Sequence, residues 1–191
     1  PERAPDQPEI GGIPDTASFL ADELTLERVW PHDRFDFERA LDLLRPDFAA
    51  AVVLEESLSP DQIDRLRAHA GREGIEIAGL VYDGVTVLVS GGSATEIPAT
   101  HRSRRTLNDA DFTFHIHPEA SGNDKPTPAD LAAAASKTHY LLAGNNASAY
   151  TGGGITETGS LAWFYERYLE SVLSAPGEAD EKKLRRELAD L

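Results

Sequence analysis

Phe112–Asp130 reads FTFHIHPEASGNDKPTPAD, and this stretch decides the reading of the whole chain. Phe112–His117 alternates, so it predicts a strand on which residues two apart share a face. His115 and His117 can then aim both imidazoles at one divalent ion, held rigidly by the strand. Pro118 ends that strand. A bridging loop leads to Thr127-Pro128-Ala129-Asp130, which predicts the first turn of a helix, with Thr127 as N-cap and Asp130 at N3 of a capping box. Alone, that box is purely structural, and a single strand histidine is a packed residue. Together, within one short stretch, the pair and the carboxylate point to a ligand set of two His and one Asp. A set of three leaves one position open, as in a catalytic rather than a structural zinc site.

Outward from this stretch, Ala49–Leu54 is a short apolar run that predicts a buried strand. Ser59-Pro60-Asp61-Gln62 marks a helix start, whose stripe Ile63, Leu66 and Ala70 is stopped by Gly71 and Gly74. Ile75–Tyr82 and Val85–Ser90 predict two strands joined at Asp83-Gly84. Phe35–Leu44 has helical spacing ended by Pro46. Beyond Thr127 a helix is expected to about Tyr140, then strands near 140–143 and 145–151. Gly152–Gly154 lacks the lysine and context of a phosphate loop and predicts a turn. Ser160–Leu173 predicts a strong helix, which either packs on the sheet or pairs subunits through its aromatics. Residues 1–30, rich in Pro and acidic residues, predict an extended arm. Residues 31–175 form the single domain, and 176–191 a charged tail that can be helical. The fold class is α/β (α+β): a mixed β-sheet flanked by helices.

Composition narrows the function. The 191 residues hold 33 Asp+Glu against 18 Lys+Arg, a formal net charge of −15. Such a surface repels phosphate backbones and argues against a nucleic-acid partner. The absence of cysteine removes thiolate nucleophiles, disulfides, Cys zinc clusters and Fe–S ligation. No apolar run approaches the ~18 residues of a membrane span, and no secretory pattern opens the sequence; the expectation is a cytoplasmic location without membrane attachment. The only lysines are 125, 137, 182 and 183. With the acidic excess, this resembles proteins of cytoplasms kept at molar salt, where repulsion is screened within ~3 Å. No elbow pattern surrounds Ser121 or Ser160, so no serine hydrolase is predicted. His32, His69, His101 and His139 have no partners in sequence and read as surface or core residues.

His115-Ile116-His117-Pro118 followed by Thr127-x-x-Asp130 resembles the JAMM motif of the MPN (Mov34/JAB1-type) metalloproteases, and in particular their prokaryotic desampylase and deubiquitinase-like members. Upstream, Glu76-Ile-Ala-Gly79-Leu80-Val81 resembles the segment that carries the family's glutamate. The resemblance covers roughly residues 52–157. It implies an MPN-type, cytidine-deaminase-like sandwich with His115, His117 and Asp130 binding Zn2+. It further implies that Glu76 is the general base that accepts a proton from the zinc-bound water and returns it to the leaving amine. Thr127 stands where the family has a serine that helps hold the water and the oxyanion; its hydroxyl can donate the same bond. Ile116 replaces a small residue between the histidines and is expected to point to the opposite face, into the core.

The implied function is a zinc-dependent isopeptidase acting on conjugates of ubiquitin-like modifiers, with a modifier or modifier-conjugated protein as substrate. Arg102, Arg104 and Arg105 form a basic cluster in this acidic chain, expected to contact an acidic modifier or cover the cleft. Three other readings compete: a zinc peptidase for small peptides or sulfur-carrier precursors, a non-catalytic MPN-type scaffold, and a cupin-like HxH oxygenase. The last wants a glutamate several residues past the second histidine, where Glu119 comes only two after it, and it leaves Asp130 unexplained.

Overall fold

A computed structural model describes residues 36–82, 84–95, 97 and 110–173. The arm (1–30), the tail (176–191), Asp83 of the predicted turn, His32, His101 and the Arg102/Arg104/Arg105 cluster lie outside the described residues.

The chain runs α1 (Phe37–Leu43), β1 (Ala50–Leu54), α2 (Pro60–Glu73), β2 (Ile77–Tyr82), β3 (Val85–Ser90), β4 (Phe112–His117), a 3-10 turn (Glu119–Ser121), α3 (Pro128–Ala134), β5 (His139–Ala143), β6 (Asn146–Thr151), β7 (Gly154–Ser160) and α4 (Leu161–Leu173). The strands form one seven-stranded sheet in the order β1-β3-β2-β4-β5-β6-β7. Every pairing is antiparallel except β4 with β5. A parallel pair needs a crossover, and the segment carrying α3 supplies it. The expected mixed sheet flanked by helices is therefore present. Among the described residues no helix is long and apolar enough to cross a membrane.

Local chemistry sets the helix ends. Ser59 and Gln62 close a capping box on α2, Pro60 sits in its first turn, and Gly74 ends it in the left-handed conformation. Gly71, expected to share in stopping this helix, lies inside it. Two further expectations are corrected. The helix from Thr127 stops at Ala134 rather than near Tyr140, because Ala135 takes a positive φ of 49°. There the backbone is pinned by Gly152, whose N–H donates to the Ala135 carbonyl at 2.7 Å. A Cβ on Gly152 would lie 2.6 Å from that carbonyl oxygen, so this glycine admits the close approach of the β6–β7 turn to the helix end. The second correction is β7, which the sequence reading left without a strand. GITETGS lies at the sheet edge with most of its residues exposed, so no apolar alternation marks it.

The two sheet faces divide the work. Ile77, Val81, Phe112, Phe114 and Ile116 face the main core, with Phe37 and Ala40 of α1, Ile63 and Leu66 of α2, and Phe164 and Tyr168 of α4. Ile116 is 3% exposed within this core, on the face opposite the histidines as expected. The other face carries Leu80, Tyr82, Val87 and Val89 in one cluster, and Leu141 and Tyr150 under Leu131 and Ala134 of α3 in another. Helix α3 therefore lies on the histidine face and brings Asp130 over the sheet.

Gly79 is paired with Phe114 across β2 and β4, and a Cβ there would run into the Phe114 ring. Gly79→Ala should cost about 1–3 kcal/mol by forcing that ring aside. Urea denaturation measures the loss, and a cost below about 0.5 kcal/mol would show that the ring yields freely.

Candidate metal centre

His115 and His117 project from the same face of β4 and are 6% and 5% exposed. In the antiparallel β2–β4 pairing Ile77 lies opposite Ile116. Continuing that register by one residue brings Glu76 opposite His117, on the histidine face. Glu76 is 4% exposed, and its N–H donates to the Ser93 carbonyl at 2.7 Å, which fixes the backbone just before β2. Asp130 arrives from the first turn of α3.

The four side chains converge on one point. Their ligand atoms all lie within 4.8 Å of one another. The two histidine Nε2 atoms are 3.1 Å apart. Asp130 Oδ2 lies 3.6 Å from His115 Nε2 and 3.8 Å from His117 Nε2. Glu76 Oε1 lies 3.5 Å from His117 Nε2 and 3.9 Å from His115 Nε2. Tetrahedral N and O donors at ~2.0–2.1 Å from zinc are separated by roughly 3.3 Å, so the spacing, the donor types and the number of donors fit a small divalent cation. The sequence-predicted Glu76, His115, His117 and Asp130 thus come together.

Each donor is held by a partner behind it. His117 Nδ1 lies 3.0 Å from the Asn123 carbonyl. A carbonyl only accepts, so the proton sits on Nδ1 and Nε2 keeps its lone pair for a metal. Asn123 is itself fixed by Ser121, whose Oγ accepts from the Asn123 N–H at 3.2 Å. On the other imidazole, Nδ1 of His115 lies 3.3 Å from the Tyr150 hydroxyl. Asp130 Oδ2 accepts from the Thr127 N–H at 2.6 Å and the Thr127 hydroxyl at 2.8 Å. The same Thr127 Oγ1 accepts from the Asp130 N–H at 3.2 Å, so in this structure the threonine orients the carboxylate.

Electrostatics follow from this packing. Burial opposes ionisation of Asp130, but His115 and the two Thr127 hydrogen bonds outweigh it and hold the carboxyl well below the usual range. Burial likewise disfavours the His117 cation, yet Glu76, the Asn123 carbonyl and Asp130 together raise its affinity for a proton. Tyr150 is pushed far up by burial and by the negative charges of Asp130 and Glu76, so its phenol stays protonated. A bound cation would place positive charge between the two close carboxylates.

Of the histidines read as bystanders, His69 is buried, with Nε2 against the Leu44 carbonyl and Nδ1 against the Arg72 guanidinium. His139 is 1% exposed, touches the Thr113 hydroxyl through Nδ1 and packs on Tyr150 at 5.9 Å. Burial, then Lys137 and His115, pushes its pKa down to about 4. The unfolded imidazole binds a proton below about pH 6.5 and the folded one only below about 4. Stability from this residue is therefore complete above pH 6.5 and falls as the pH drops toward 4, by up to about 3 kcal/mol. His139→Asn is expected to flatten the slope of unfolding free energy against pH between 4.5 and 6.5; an unchanged slope would remove His139 as its source.

Sequence reasoning missed Tyr150 and Asn123. Asn123 acts through its backbone, which no residue pattern announces, and Tyr150 reads in sequence as the aromatic of an otherwise small-residue strand, β6. An open cleft of about 680 Å³ adjoins His117, between Arg67 and Ala68 of α2, Leu142 of β5 and Leu161 of α4. In comparisons with known proteins no family model matches the chain, and no curated protein and no solved structure gives a significant match.

Proposed function

We propose that this chain is a zinc-dependent isopeptidase of the JAMM/MPN type, acting on conjugates of a ubiquitin-like modifier. The observation that carries the reading is the meeting of Glu76, His115, His117 and Asp130 within 4.8 Å, from the residue before β2, from β4 and from α3, in the order of residues that the motif predicts. His115, His117 and Asp130 would hold the ion. Bound there, zinc would supply Lewis acidity, lowering the pKa of a water toward ~7 and polarising a carbonyl.

The chain's own residues do the rest. Glu76, the donor not needed to complete a three-residue ligand set, takes a proton at its carboxylate and delivers it to the departing lysine amine. Its burial keeps bulk water from competing for that proton. Thr127 keeps Asp130 in place, and to serve the oxyanion its hydroxyl must swing from Asp130 toward the substrate.

The test offers purified, zinc-supplied protein two substrates: a modifier joined through its C-terminal Gly-Gly to a lysine side chain, and the same modifier as a linear fusion. Cleavage of the first, abolished by a chelator, supports the reading. Cleavage of the linear fusion alone favours processing of a sulfur-carrier precursor. Metal binding without cleavage of either favours a scaffold.

A further inference from the structure

Resting on the metal reading above, we infer that Tyr150 is the positioning residue that accepts the Nδ1 proton of His115 and so supports its metal-binding tautomer. The two imidazoles are held differently. His117 has a carbonyl behind it, which can only accept, whereas His115 has a hydroxyl, which can donate or accept. In the ion-free site the His115 proton can sit on Nε2 and donate to the His117 Nε2 lone pair 3.1 Å away, but a cation held at Nε2 requires that proton on Nδ1. With the ion bound, His115 therefore donates from Nδ1 to the Tyr150 oxygen, and Nε2 presents its lone pair.

The surroundings fix Tyr150 in this role. It is 4% exposed and lies opposite His139 in the β5–β6 pairing. Its ring meets His115 edge-on, with centroids 5.8 Å apart and planes at 85°, and stacks at a tilt of 34° on His139. Leu141 and Ala134 complete its pocket. On its far side the β6–β7 ladder slips by one residue between Ala149 and Tyr150. The Thr156 hydroxyl donates to the Ala149 carbonyl at 3.2 Å at that irregularity. Irregularities of this kind re-aim side chains beside functional sites. The phenol is thus clamped by packing, and its oxygen is the part left to act on His115.

Tyr150→Phe removes only that oxygen. In the full chain it is expected to weaken zinc binding about 10–100-fold, read by competition with a chromogenic chelator. Nitrogen-15 NMR of the zinc-loaded protein should show a slowly exchanging His115 Nδ1–H in the wild type and a faster-exchanging one in the variant. A residue that merely packed would leave that exchange unmoved. An unchanged exchange rate and zinc affinity in a folded Tyr150→Phe would overturn the inference. So would a zinc-loaded wild-type His115 found protonated at Nε2, a measurement that stands even if the variant fails to fold. Absence of zinc binding by the wild type would instead defeat the metal reading on which the inference rests.

Discussion

Glu76→Gln is expected to lower isopeptide cleavage by about 10²–10⁴-fold, the usual contribution of a general base, while leaving zinc bound. Glutamine keeps the shape of the side chain and removes its charge and its basicity. At 4% exposure Glu76 has almost no solvent to share its proton with, and it stands 3.5 Å from His117 Nε2, within one water of any atom bound to the cluster. Zinc content separates two roles for this carboxylate. If Glu76 is the base, the variant is inactive and metal-replete. If Glu76 instead ligates the ion, activity and zinc fall together. Full activity in the variant would contradict both.

The second large effect concerns stability. Two carboxylates, the buried Glu76 and the half-buried Asp130, offer ligand atoms within 4.8 Å of each other, an arrangement that is costly unless a positive charge lies between them. An ion that binds only the folded chain stabilises it by about 4 kcal/mol when its concentration is 1,000 times Kd. For a domain of this size each kcal/mol moves Tm by about 2–4 °C. Zinc should therefore raise Tm by about 8–16 °C in the wild type and hardly at all in His117→Ala, measured by thermal unfolding after dialysis against a chelator. An equal rise in both proteins would place the stabilising ion elsewhere.

Much of this arrangement was legible in the sequence for physical reasons that can be named. The alternation of Phe112–His117 declared its two faces, so the common direction of His115 and His117 and the core position of Ile116 followed from the period of a strand. The caps at Ser59 and Thr127 are local chemistry, read from four consecutive residues each, and they placed Asp130 on the first turn of α3. What was hidden depends on contacts between distant residues. Helix α3 ends at Ala135 because the β6–β7 turn approaches it at Gly152, and nothing near Ala135 in sequence announces that. Strand β7 is exposed at an edge, where backbone pairing with β6 rather than side-chain burial holds it. The partners of the imidazoles were hidden too. The Asn123 carbonyl carries no side-chain signal, and Tyr150 meets His115 across 35 residues.

The central claim is that Glu76, His115, His117 and Asp130 are built around a metal ion. Elemental analysis of the purified full chain, supplied with zinc and freed of loosely held metal, tests it most directly. The wild type should retain about one zinc per chain, and His117→Ala, folded by circular dichroism, should retain almost none. A folded wild type that holds no metal would contradict the account.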